Sequence, residues 1–221
     1  MTSTKDLEAS LPLTAPELKG SLVADETSIS VYATVTLSAE EKEELLGRLH
    51  DYKYPSQCSR LAPDQFENAA LRDVYDYHLK ARSEQPRIHP TNFIVVDSAD
   101  WDRDGVLLVD LQVLTNVKEP RSVIGVARCP VSGDEGAESA CVNLNIANVN
   151  WMDVKRIERR RFGCDDPLDN KRYFPIDPRN ITSSKATSAV YAWYSLVPRG
   201  KIVKPSIGDV HSLHSNRSVG C

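Results

Sequence analysis

The stretch Phe93–Leu111, FIVVDSADWDRDGVLLVDL, decides how the rest of the chain is read. It holds two nearly unbroken apolar runs, closed by Asp97 and Asp110 and joined by a loop carrying Asp100, Asp102 and Asp104. Short runs rich in Val, Ile and Leu that do not alternate with polar residues read as strands covered on both faces. The eight residues from Ser98 to Gly105 are too few for a parallel crossover. The two strands are therefore expected to form an antiparallel hairpin at the centre of the core.

Outward from that hairpin, SISVYATVTL over Ser28–Leu37 alternates in the manner of a half-buried strand near an edge. Ser38 and Glu41 have the spacing of a capping box, which predicts a helix from Ala39 to about Asp51. Phe66, Ala70, Val74 and Tyr77, widened by Leu71, Tyr75 and Leu79, predict the longest helix, from Asp64 to about Arg82. Beyond the hairpin, RSVIGVARC (Arg121–Cys129) and CVNLNI (Cys141–Ile146) read as two further strands. A helix capped by Asn148 or Asn150 then runs to Phe162 and stops at Gly163. Ser188–Val197 is read as a strand.

The fold expected is a single α+β domain, with a mostly antiparallel sheet and helices packed mainly on one face. Residues 1–27 and 206–221 read as disordered tails around a domain spanning 28–205, of which 163–205 form a C-terminal extension. With 221 residues and no Gly/Ser-rich linker inside 28–205, nothing asks for a second domain.

Composition narrows the function classes. A net charge of −4 argues against a nucleic-acid binder, whose affinity rests on a basic face. No apolar run reaches the roughly 18 residues of a membrane span. The N-terminus lacks the basic start and apolar core of a signal peptide, so a cytoplasmic location without a membrane partner is expected. Five cysteines (Cys58, Cys129, Cys141, Cys164, Cys221), widely spaced and without a CxxC pair, are expected to be reduced there. No G-x-S-x-G, P-loop, G-x-G-x-x-G or H-E-x-x-H motif is present, and no cofactor is called for.

Taken together, FIVVD, GVLLVDL and VNLNIANVNWMDV resemble a bacterial family of small domains of unknown function, over roughly residues 28–155. In that family an FVVD strand precedes an LVVDL strand and a closing NLSIANMDFEEF block. The resemblance implies a compact domain and brings no activity with it. The DWDRDG loop, the long Cys129–Cys141 connection and the C-terminal residues depart from the pattern.

Three sets of residues could carry a function. The first is the basic cluster Lys155, Arg156, Arg159, Arg160 and Arg161, which suits an acidic protein or an anionic small molecule because a guanidinium matches a carboxylate with two parallel hydrogen bonds. The plainer alternative is a solvated helix end neutralised by nearby acids. A non-catalytic binding or accessory protein using this basic helix face is the first reading. The second set, His78 with Tyr191 and Trp193, would serve a small-molecule isomerase or hydrolase whose pocket the C-terminal extension completes. The third is Asp100, Asp102 and Asp104, the opening of a calcium loop that lacks its closing glutamate, since Leu111 occupies the twelfth position. His78 also has the ordinary reading of a core histidine held by one hydrogen bond, and the three aspartates that of a solvated hairpin loop under Trp101. Asp97 and Asp110 end opposite edges of the hairpin and are not expected to act as a pair.

Overall fold

Because the two central runs are apolar at every position, they need cover above and below, and the chain supplies it on both sides. The computed structural model describes residues 2–17, 27–50, 59–63, 65–114 and 122–163. In chain order these form α1 (Thr4–Ala9), β1 (Ser28–Ala33), α2 (Ala39–Leu49), β2 (Arg60–Leu61), α3 (Leu71–Glu84), β3 (Ile88–Val96), α4 (Trp101–Asp104), β4 (Val106–Leu114), β5 (Ser122–Cys129), α5 (Ala137–Asn145) and α6 (Trp151–Phe162). The strands make one sheet in the order β2-β1-β3-β4-β5.

The expected hairpin is present, with Phe93 opposite Val109 and Val95 opposite Leu107. On one face Phe93, Val95, Leu107, Val109, Ile124 and Val126 pack with Leu71, Val74 and Tyr75 of α3. On the other, Ile94, Val96, Val106, Leu108 and Ala127 pack with Leu45 and Leu49 of α2, Cys141 of α5 and Trp151 of α6. Helices thus cover both faces, and the expectation of cover mainly on one is corrected. Unbroken apolar strands leave no alternative, since a bare face would expose every second side chain.

The sheet is mixed. β1 runs parallel to both β2 and β3, while β4 is antiparallel to β3 and β5. The chain goes from β1 through α2 on one face to β2, then through α3 on the other face to β3. Two such crossovers place β1 inside the sheet, so Ile29, Val31 and Tyr32 are all buried, where the alternating pattern had suggested a half-buried strand near an edge.

Helix ends follow their caps. Ser38 and Glu41 exchange both capping-box bonds (2.7 and 3.2 Å), as do Asn150 and Asp153 at α6 (3.1 Å each). α6 ends at Gly163, whose φ of 63° is the left-handed stop expected there. α3 starts later than its apolar spacing implied. Asn68 takes a φ of 61° ahead of it, and Phe66 reaches the core from outside the helix, edge-on to Tyr32 and Tyr77.

Two expectations fail. Cys141–Ile146 is the end of helix α5 and its C-cap, not a strand. Ala137, Ala140, Cys141 and Leu144 recur at helical spacing toward the core, a longer signal than the five-residue alternation VNLNI. Among the residues read as a disordered tail, Thr4–Ala9 form a helix capped by Ser3, with Thr4 and Glu8 buried. Glu8 accounts for it, because its Oε1 accepts from the Val126 N–H at 3.0 Å and ties the segment to β5.

Candidate functional site

The exposed edge of β5 shows how α6 is positioned. Ile124, Val126 and Arg128 turn their N–H groups away from β4. The Leu13 carbonyl takes the first at 3.0 Å, Glu8 the second at 3.0 Å, and Glu158 of α6 the third at 2.9 Å. Lys155 donates to the Val126 carbonyl at 3.1 Å and pairs with Glu158. Lys155 and Glu158 are therefore buried, and Lys155, expected on the partner-binding face, is corrected to a structural role. Its long stem lies against the sheet and its ammonium meets groups left open by an unpaired strand edge.

With that side fixed, α6 turns Arg156, Arg159, Arg160 and Arg161 outward. Arg156 pairs with Asp153 at 2.6 Å. Arg160 and Arg161 share one carboxylate, that of Glu135 in the β5–α5 connection. Arg160 meets Oε1, and Arg161 reaches Oε2 with both Nε and Nη2 at 3.1 Å. Desolvation works to raise the Glu135 carboxyl, but hydrogen bonds from Arg160 and Arg161 outweigh it and hold the group below its ordinary value.

The calcium-like aspartates do not converge. Asp100 faces Arg103 at 2.9 Å, Asp102 faces Arg48 of α2 at 2.6 Å, and Asp104 accepts from Ser98 (2.6 Å) and Arg103 (2.8 Å). Among the described residues no three acidic, histidine or cysteine side chains gather as a metal site would require. Trp101 is buried against the sheet, as expected, with Arg48 over its ring. Asp97 and Asp110 are separated as the hairpin geometry requires. Asp97 grips Arg128 through two bonds (2.9 and 2.6 Å), while Asp110 lies opposite Asn92 near the start of β3. Arg128 is a residue the sequence could have flagged, because a lone charge in the buried run SVIGVARC needs a partner.

His78 is enclosed, with no exposed surface. Its Nδ1 lies 3.0 Å from the Tyr32 hydroxyl and its ring lies against Phe93, 4.4 Å between centroids. Burial, with Arg82 and His89 nearby, lowers its pKa to about 3, and burial raises that of Tyr32 to about 12. Tyr32 accordingly donates and neutral His78 accepts. The ring is part of the packing around Tyr32 and Phe93. Tyr191 and Trp193, its proposed companions, lie outside the described residues.

A second histidine, His89, is also buried. Between Ser28 and Ser30 the register of β1 advances two residues while β3 advances five. His89 fills the resulting bulge. Its Nδ1 accepts from the Asn92 N–H at 3.0 Å, and its Nε2 lies 2.8 Å from the side-chain Nδ2 of Asn145. Burial lowers its pKa to about 4. Nearby Asp110 is pushed up to about 7 by burial, against a single bond from the Gln112 N–H. Cys129 and Cys141 are buried free thiols, which burial raises well above their usual range. His89, Asp110, Cys129 and Cys141 are all buried.

No family model, curated protein or solved structure matches the chain.

Arg156, Arg159, Arg160 and Arg161 form an exposed arginine face on α6. It presents four guanidiniums on a helix whose inner side is anchored by Lys155 and Glu158.

Proposed function

We propose that this protein is a non-catalytic binding module of the cytosol that takes an acidic protein segment on Arg156, Arg159, Arg160 and Arg161. The observation that carries the reading is the carboxylate of Glu135 seated between Arg160 and Arg161. It is, within one molecule, the pairing that the face would offer a partner's carboxylate. Guanidiniums are less strongly hydrated than ammonium groups and fit planar anions with two bonds, so arginines suit this task better than lysines. Arg159, Arg160 and Arg161 lie in the last turn of α6, where the helix dipole favours cations. Kinship with the small bacterial FVVD and LVVDL domains belongs to the same proposal and supplies no activity.

The test is titration of a fluorescein-labelled octaglutamate peptide, read by anisotropy, into the wild-type protein and R156E/R159E. These substitutions leave the buried side of α6 untouched. The double variant is expected to weaken binding at least tenfold. Equal affinity in the two proteins would sink the reading.

A further inference from the structure

We infer that Glu135 is an internal occupant of the arginine face, and that an acidic partner must displace its carboxylate to engage Arg160 and Arg161. The inference rests on the binding reading above and adds its regulation.

Three features of the connection from Pro130 to Gly136 support it. Its backbone is closed on itself: Ala137 N–H donates to the Pro130 carbonyl (2.8 Å), Gly136 N–H to the Gly133 carbonyl (2.9 Å), and Ser139 Oγ to the Asp134 carbonyl (2.8 Å). Val131 is buried and roots the loop in the core. Glu135 is thus presented to α6 at little entropic cost, as a preorganised ligand would be. The contact also spans two chain segments, with Oε1 on Arg160 and Oε2 on Arg161, which spends both oxygens of one carboxylate on two guanidiniums. A partner carboxylate aimed at either arginine competes with Glu135 for these donors.

The contact is weak enough to yield. Arg160 and Arg161 keep 60% and 57% of their side-chain surface exposed and Glu135 keeps 32%, and ion pairs this open to water contribute little because solvent screens them. The loop therefore sets a threshold that selects for partners bringing several acidic groups at once. A single carboxylate only exchanges with Glu135, whereas an acidic segment can exchange with Glu135 and with Asp153 on Arg156 in the same event.

The experiment repeats the octaglutamate titration with E135Q, which keeps the side-chain shape and removes the charge, and with E135Q/R160Q/R161Q. E135Q is expected to bind two- to tenfold tighter than wild type, and the triple variant to lose that gain. Binding seen in E135Q alone would also support the inference. If R156E/R159E weakens binding while E135Q equals or falls below wild type, the occupant idea is overturned and the binding face stands. If neither wild type nor E135Q binds, both are overturned.

Discussion

A lysine three positions before a glutamate on a helix is ordinarily a solvated surface pair worth a few tenths of a kcal/mol. Lys155 and Glu158 have that spacing and the opposite fate, because the unpaired edge of β5 offers them a carbonyl and an N–H to satisfy. Removing one partner leaves a buried charge without compensation. E158A is expected to cost about 3–5 kcal/mol, and K155M/E158L should recover only part of that loss, because the charges go but the Arg128 N–H and the Val126 carbonyl stay without partners. Urea unfolding decides it, and a double variant no better than E158A would refute the account. Asp110 gives a second expectation. Its folded pKa, near 7, lies above the unfolded carboxylate value, so its contribution to stability is complete below about pH 4 and lost as pH rises through 7. D110N removes this loss, and the stability of the variant relative to wild type should climb between about pH 4 and 7 and level off above. His78 and His89 act in the reverse sense, their contribution being present above about pH 6.5 and lost as pH falls toward 4 and 3. A D110N difference that is flat with pH, measured by urea midpoints at pH 5, 6 and 8, would exclude the buried carboxyl as its source.

At the scale of elements, β5 explains two departures from expectation. An unbonded strand edge invites another strand, and here three charged side chains close it instead: Glu8 from α1, and Lys155 and Glu158 from α6. α5 then lies across the sheet face, where its alanines and Cys141 pack without competing for that edge. Gly125 makes room for α6, since a Cβ there would come within 2.5 Å of the Trp151 ring. The role given to α1 is open to measurement. E8A leaves the Val126 N–H without its acceptor and is expected to destabilise by about 1–3 kcal/mol, with E8Q milder because an acceptor oxygen remains. Amide exchange at Val126 should accelerate in E8A. Unchanged exchange and stability would mean that the first helix does not guard the edge.

Over the whole molecule the charge balance makes the binding reading sharper. The chain carries −4 overall, so an acidic ligand is repelled at long range and held only by the local arginine face. Salt screens both effects. If the face dominates, octaglutamate affinity should fall as salt rises from 50 to 300 mM; affinity that grows with salt would show that general repulsion governs and that α6 holds nothing. The topology is consistent with this division of labour. The core buries His78, His89, Cys129, Cys141 and Asp110, while the last described helix, fixed along a sheet edge, keeps one side for solvent.

Much of this was legible in residues 93–111 and their neighbours. Unbroken apolar runs with a short connection determined the central antiparallel hairpin, a capping box determined where α2 begins, and an asparagine cap at 148 or 150 bracketed the start of α6, because these rules act between residues close in sequence. The arginine face was visible as a cluster, though not the inward turn of Lys155. The parallel pairing of β1 with β2 and β3, the bulge that lodges His89, the helical fate of Cys141–Asn145 and the anchoring of Glu8 were decided only by tertiary structure. Each depends on which backbone groups a distant strand leaves unpaired, and partners up to 118 residues apart, as Glu8 and Val126 are, leave no local pattern in the chain.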